Sequence, residues 1–396
     1  MNLYPYQEAG RDFLAANPRA YLGDTMGLGK SAQAIMAARA LNPARSVVVC
    51  PASAVPNWQA EWEKWDGPGT PEIISYSSLI RRRNFAPADV CILDEAHYAK
   101  SPSAKRTRAA LGLASKSKHA WLLSGTPMPN NPTELWAPVR YLWPSIAEEL
   151  NLRTAQEWML RFCKVRQTPY GIKPYGVRSG AQLRQILNRI MLRRTIDEVG
   201  VDLPPLRVDL HHLPKGAVDL SEYEAMDASE EAYTSSLRRV LGMAKAGPVA
   251  RQIVDELKDG AYDKIVVLYH HTDVGHTLGR AFAEAGYTAV GFSGSTPQKI
   301  RWANIQAFQE NPRLPIFLAQ QTAAGIAINL TAANEIVLVE PAWTPDDNSQ
   351  AVARIRRIGQ DRPCRARIFA IAGTIDSRVM STIRAKVAMQ KEVSLR

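Results

Sequence analysis

Between Tyr21 and Ser31 the chain reads YLGDTMGLGKS, a set of residue types able to hold an anion. Gly27 and Gly29 permit a tight turn whose N–H groups converge, Lys30 can reach the outer oxygens of a polyphosphate, and the Ser31 hydroxyl can ligate Mg²⁺. The run SAQAIMAARAL beyond Lys30 is apolar at helical spacing, so a helix N-terminus adds its dipole to the same site. The strict GxxxxGK[ST] pattern would put glycine where Asp24 stands, with Gly23 one place earlier.

Further along, ADVCILDEAH places an apolar run directly before Asp94 and Glu95. A carboxylate at the C-terminal end of a strand can hold Mg²⁺ through water while its neighbour orients an attacking water, the division of labour that phosphoryl transfer needs. HAWLLSGTP then ends in Ser124, Gly125 and Thr126, small residues whose hydroxyls can bridge those carboxylates to a neighbouring surface. Near the far end lies QAVARIRRIGQ, where Arg354 and Arg357 are three apart. On a helix both project from one face, as a pair reaching for a γ-phosphate would. Arg356, Arg362, Arg365 and Arg367 are assigned instead to a basic helix touching solvent or nucleic acid.

These groups need a scaffold that delivers strand ends to one place. Strand-like runs such as SVVVC, CILD and AWLL alternate with helical patterns, which predicts an α/β fold with a doubly wound parallel sheet and its ligand at the strand C-terminal ends. KIVVLYHH, TAVGFSGSTP, LPIFLAQQTAAGIAINL and NEIVLVEP repeat the pattern without a second phosphate loop. Two such lobes are expected, residues 1–207 and 208–396, with helical insertions at about 144–194 and about 218–260 and a C-terminal bracing helix at about 374–396. Leu3 to Leu14 reads as a short helix entered through Pro5, with Gln7 on its first turn.

Composition narrows the class. The 396 residues carry a net charge of +11, and residues 1–207 hold 27 Lys and Arg against 17 Asp and Glu, which favours a polyanionic partner. Apolar runs are too short to span a bilayer, and the N-terminus shows no signal-peptide pattern, so the expected location is cytoplasmic in a bacterium or phage-infected cell, or nuclear in a eukaryote. Cys50, Cys91, Cys163 and Cys364 are too scattered for a disulfide framework or a zinc site. Trp58, Trp62 and Trp65 are read as packing residues.

Taken in order, LYPYQ, GDTMGLGKS, VVVCPASAVPNWQAEWEKW, ISYSSL, LDEAHYAKSPSAKRTRA, LLSGTPMPNNPTELW, MLRRTIDEV with LPP, GSTP and QAVARIRRIGQ span nearly the whole chain. This set resembles a superfamily 2 helicase-type motor of the Swi/Snf-type family of double-stranded DNA translocases. LRFCKVRQTPYGIKPYG and TAAGIAINLTAANEIVLVEPAWTP are similar to the branch of annealing helicases and fork remodellers.

The resemblance implies two RecA-like lobes, ATP and Mg²⁺ as cofactors, and double-stranded or branched DNA as partner, with replication or repair proteins as further partners of a monomeric motor. It places adenine on Gln7 and phosphates on the loop Asp24, Met26, Gly27, Leu28, Gly29, Lys30 and Ser31. Mg²⁺ falls to Ser31 and Asp94, the attacking water to Glu95, and the finger roles to Arg354 and Arg357, with Gly325 near the nucleotide. Ser53, Ser77, Ser293, Gly294 and Thr322 are the implied DNA contacts. Ala353, Arg356, Ala327 and Thr25 depart from the usual pattern and bear on coupling between lobes. The expected function is ATP-driven movement along duplex DNA that remodels forks, anneals strands or displaces bound proteins. One alternative is a strand-separating DNA or RNA helicase, which calls for a strand-splitting hairpin that the sequence does not display. The other is a catalytically weak DNA-binding replication scaffold, opposed by the intact Lys30, Asp94, Glu95, Arg354 and Arg357.

Overall fold

The computed structural model describes the chain apart from residues 1, 83–84, 170, 201–202, 215, 217, 228–233, 322–327, 358 and 393–396, and apart from the side chains of 346 and 389–392. The chain divides into two compact units, residues 1–201 with 386–396, and residues 202–385.

In the first unit the phosphate-loop segment lies between β1 (Arg19–Leu22) and α2 (Lys30–Leu41), preceded by α1 (Pro5–Ala16). Then come β2 (Ser46–Cys50), α3 (Val55–Lys64), β3 (Glu72–Ser75), α4 (Tyr76–Arg81), β4 (Val90–Asp94), α5 (Lys105–Lys116) and β5 (His119–Leu123). With β8 (Met191–Leu192) they form a six-stranded sheet in the order β3-β2-β4-β5-β1-β8, and every ladder in it is parallel. Strands buried on both faces read as unbroken apolar runs, as VVVC and CILD do. Their alternation still sorts side chains between two cores. Val47 and Val49 join Leu111, Trp136 and Trp158 on one face, whereas Val48 and Cys50 join Leu14, Ile35 and Trp58 on the other.

Residues 144–194, expected to be a helical insertion, contain a hairpin. After α6 (Trp136–Leu142), α7 (Pro144–Glu149) and α8 (Ala155–Phe162), the strands β6 (Cys163–Thr168) and β7 (Gly171–Val177) pair antiparallel before α9 (Gly180–Ile190). The sequence signal was weak because Pro174 interrupts the run and a bulge breaks its period-two alternation.

The second unit holds β9 (Leu206–His212), β10 (Ile265–Tyr269), β11 (Ala289–Phe292), β12 (Ile316–Gln320), β13 (Glu335–Leu338) and β14 (Cys364–Ala370), ordered β11-β12-β10-β13-β14-β9. Its ladders are also parallel. The four strands read from sequence are present, and two were missed, β14 and the edge strand β9 beside it. Arg365 and Arg367, assigned above to a helix, alternate with Ala366 and Ile368 along β14, a period of two rather than 3.6. Arg367 is fully buried beside Glu256 at 2.7 Å, whereas Arg365 stays partly exposed and pairs with Asp209 at 2.7 Å. Arg356 donates to the Pro204 carbonyl at 2.9 Å, and Arg362 donates to the Ala332 carbonyl at 2.6 Å. Among the described residues no helix is long and apolar enough to cross a membrane.

Candidate nucleotide site

The loop from Gly23 to Gly29 joins the C-terminal end of β1 to the N-terminus of α2. Gly27 (φ 89°) and Gly29 (φ 72°) sit in left-handed backbone conformations that cost a side-chain-bearing residue energy, so glycine is required for this turn. Lys30 is the first residue of α2, and its Nζ donates to the Asp24 carbonyl at 2.8 Å. Burial pushes the Lys30 pKa below that of an ordinary lysine, while Glu95, Asp24 and Asp94 oppose the shift. Ser31 follows on the same turn.

Asp24 has a different task from the glycine whose position it takes. Its carboxylate is wholly buried and accepts from Arg194 Nε at 3.0 Å, Arg194 Nη2 at 2.6 Å and Gln33 Nε2 at 3.2 Å. Arg194 also donates to Gln33 Oε1 at 3.0 Å and to the Tyr6 carbonyl. Gln7 is buried, accepting from Tyr4 N at 3.0 Å and donating to the Leu28 carbonyl at 3.2 Å. Gln33 donates to that same carbonyl at 3.0 Å. The loop is therefore held from beneath by one polar network. Asp24 of the loop and Gln7 of α1 belong to that network, so neither side chain is turned toward a ligand on the loop, and Gly27, Gly29, Lys30 and Ser31 are the candidate anion-binding positions.

The carboxylate pair approaches from the neighbouring strands. Asp94 closes β4, and its Oδ2 accepts from Trp58 Nε1 at 2.8 Å. Burial, and then the adjacent Glu95, raise its pKa to about 6, well above the usual carboxylate range. Glu95 has φ 48°, a left-handed conformation that only a few per cent of non-glycine residues adopt. Its Oε2 lies 3.3 Å from His97 Nδ1, which is also 3.0 Å from Ser124 Oγ. His97 thus stands between Glu95 and Ser124 of the SGT turn. A Cβ on Gly125 would come within 2.8 Å of Met26 Cγ, so glycine there lets the SGT turn close against the loop.

The implied DNA contacts occupy the same rim of each sheet. Ser53 follows β2 in a single turn (Ala52–Ala54), and Ser77 is exposed in α4 just beyond β3. In the second unit Ser293 and Gly294 follow β11, where Arg301 Nη2 donates to both carbonyls at 3.0 and 2.8 Å. Thr322, Gly325 and Ala327 lie outside the described residues. Arg354 and Arg357 are not on a helix, since Pro345–Val352 ends before them and hydrogen-bonded turns carry the chain onward. Arg357 Nη1 donates to the Ile328 carbonyl at 3.2 Å, and Leu330 N donates to the Arg354 carbonyl at 3.0 Å. Gln360 Nε2 pins the same turn through the carbonyls of Thr331, Ala333 and Ile355.

A family model for the SNF2-related domain matches residues 72–255, and one for the helicase conserved C-terminal domain matches residues 249–359. Between them the two matches run over residues 72–359, where the chain is similar to SNF2-related, helicase-like proteins. The chain is 27% identical to a Caenorhabditis elegans homolog of SWI/SNF-related matrix-associated actin-dependent regulator of chromatin subfamily A-like protein 1, over 99% of its length and 62% of the relative's. It is 29% identical to the Bos taurus DNA annealing helicase and endonuclease ZRANB3, over 97% of its length and 40% of the relative's. It thus spans less than two thirds of the length of each of these relatives. A solved Sulfolobus solfataricus SWI2/SNF2 ATPase core in complex with dsDNA aligns at 22% identity and a TM-score of 0.44, covering 96% of this chain and 90% of that one. The family match begins at Glu72, so the phosphate loop rests on its own geometry.

Sequence reasoning missed four supports of the candidate site: Arg194 and Gln33 beneath the loop, Trp58 on Asp94, and Tyr76, whose hydroxyl donates to the Asp94 carbonyl at 2.9 Å. Arg194 had the one available signal, because a carboxylate at a loop glycine position calls for a cation.

Proposed function

We propose that this chain hydrolyses ATP with Mg²⁺ to move along duplex DNA, remodelling forks, annealing strands or displacing bound proteins. The observation that carries the reading is the meeting, at one rim of one sheet, of a glycine loop with Lys30, a raised-pKa Asp94 and the αL Glu95. The fit to nucleotide is chemical: converging N–H groups and Lys30 suit phosphates, and an acid held above its usual range gains by meeting a cation. Bound Mg²⁺-nucleotide supplies the polarised phosphoryl group. Around it, Ser31 and Asp94 hold the cation and Glu95 orients water through its own carboxylate. His97 links Glu95 to Ser124, so the state of the site reaches the SGT turn. Arg354 and Arg357 are the fingers in this reading, and the relatives' names, an annealing helicase among them, support DNA as the track.

The test is steady-state ATPase activity without nucleic acid and with single-stranded DNA, closed duplex, forked duplex and RNA, with Glu95→Gln as control. Stimulation by duplex or forked DNA, abolished by Glu95→Gln, is expected. Stimulation by single strands or RNA alone would favour a strand-separating helicase, and absence of activity throughout would favour the scaffold. Arg357→Ala is expected to lower kcat at least about tenfold with little change in nucleotide affinity, because its charge acts on the transition state. An equal loss in both would assign it a structural role.

A further inference from the structure

Between Glu157 and Asp197 the chain contains no acidic residue and nine basic ones. The hairpin β6–β7 sits in the middle of this interval. Lys164, Arg166, Lys173 and Arg178 are exposed on it or at its foot, as are Ile172 and Tyr175. Among the described residues none of Lys164, Arg166 and Arg178 forms an ion pair with a carboxylate.

Two features of the ladder favour a ligand over a solvated surface. Arg166 lies directly opposite Lys173, so two cations stand in cross-strand register on the hairpin. The register also steps from Lys164 opposite Gly176 to Val165 opposite Pro174, leaving Tyr175 as the extra residue of a bulge. Bulges re-aim side chains. Tyr175 is 60% exposed, the highest value among the large hydrophobic residues described. Beside it Ile172 and Pro174 form one wall of a shallow groove completed by Thr133, Gln156 and Met159.

We infer that the β6–β7 hairpin is a nucleic-acid site that stacks an unpaired base on Tyr175 while Arg166 and Lys173 hold the flanking phosphates. Only an unpaired or terminal base offers its face, because within a duplex each face is covered by the next pair; backbone phosphates are what a pair of opposed cations needs. The inference deepens the proposed function by naming the unpaired arm or junction of a branched DNA as the feature this unit grips, and it rests on that reading for the identity of the polymer.

The test uses the full chain and fluorescein-labelled DNA: an oligo-dT strand, a covalently closed circular duplex with neither ends nor loops, and a forked duplex with unpaired arms. Binding is followed by anisotropy, and ATPase stimulation is followed in parallel. Tyr175→Ala is expected to weaken binding to the strand and the fork about tenfold, from the loss of one stacked base. Closed-duplex binding should be unchanged, and Tyr175→Phe should restore the affinity. Lys173→Glu is expected to weaken the strand and the fork further and to flatten their salt dependence. Unchanged affinity of Tyr175→Ala for the fork would overturn the inference, as would an equal loss on the closed duplex. If wild type binds the strand through Tyr175 yet no DNA stimulates its ATPase, the translocase reading fails and the hairpin site stands. The reverse pattern, stimulation by closed duplex with Tyr175→Ala indistinguishable on every DNA, keeps the translocase and removes the site.

Discussion

Asp94 and Glu340 hold corresponding places in the two units, each at the C-terminal end of an interior parallel strand, and their surroundings treat them in opposite ways. Glu340 is buried, and burial pushes its pKa up. The His271 ring at 2.6 Å and the backbone N–H groups of His270 and His271, at 2.8 and 3.0 Å, outweigh that and hold it below the usual range. Asp94 has Trp58 as its side-chain donor and Glu95 as a repelling neighbour, and is held up. One acid is satisfied as a carboxylate by its own fold; the other is not. Elsewhere the second unit also pairs its buried charge internally, with Lys245 donating to Asp376 at 2.9 Å and Arg367 beside Glu256. Two sheets of the same design therefore differ in whether the strand ends are left with electrostatic work to do.

The largest expected effect comes from making the first unit's buried acid unpaired. Arg194→Ala strands Asp24 and should cost about 3–5 kcal/mol in urea unfolding, since a buried charge loses its partner. Adding Asp24→Asn should recover part of it, and a cost below about 1 kcal/mol for Arg194→Ala would mean that the pair is dispensable.

Next in size is a contrast of sign between the two strand-end acids. Glu340, with its depressed pKa, contributes stability above its unfolded pKa that is lost as pH falls through the folded value. Glu340→Gln should therefore destabilise by about 1–3 kcal/mol at neutral pH and less in acid. Asp94, with its raised pKa, favours folding below its unfolded value of 3.8, and that contribution is lost as pH rises through about 6. Asp94→Asn should accordingly stabilise the nucleotide-free protein by about 1 kcal/mol at pH 7, with no gain at pH 3.5, while removing ATPase activity. Equal effects of both variants at both pH values would erase the contrast.

The smallest is Trp58→Phe. It removes the donor that lowers the Asp94 pKa, so the acid limb of the ATPase pH profile should move upward by less than about one unit. An unmoved limb would mean that Trp58 acts only by packing.

The sheets were legible because runs such as VVVC and IVVLY can be buried on both faces, and the chemistry because glycine, lysine and adjacent acids at strand ends have few other uses. What escaped the sequence was long-range partnership. Nothing near Asp24 announces Arg194, 170 residues away. Arg365 and Arg367 looked like unpaired surface charge because the carboxylates that pair with them, Asp209, Glu256 and Glu335, lie on other elements. Arg354 and Arg357 kept a helical spacing after their helix had ended.

The left-handed backbone at Glu95 carries a further implication, for inheritance rather than catalysis. Glycine is the residue that relaxes such a conformation, and a glutamate codon becomes a glycine codon by a single base change. A Glu95→Gly lineage would gain stability as it lost hydrolysis, so selection for folding alone would push this position toward inactivity. Stability and turnover therefore pull in opposite directions at this position if Glu95 has the proposed role.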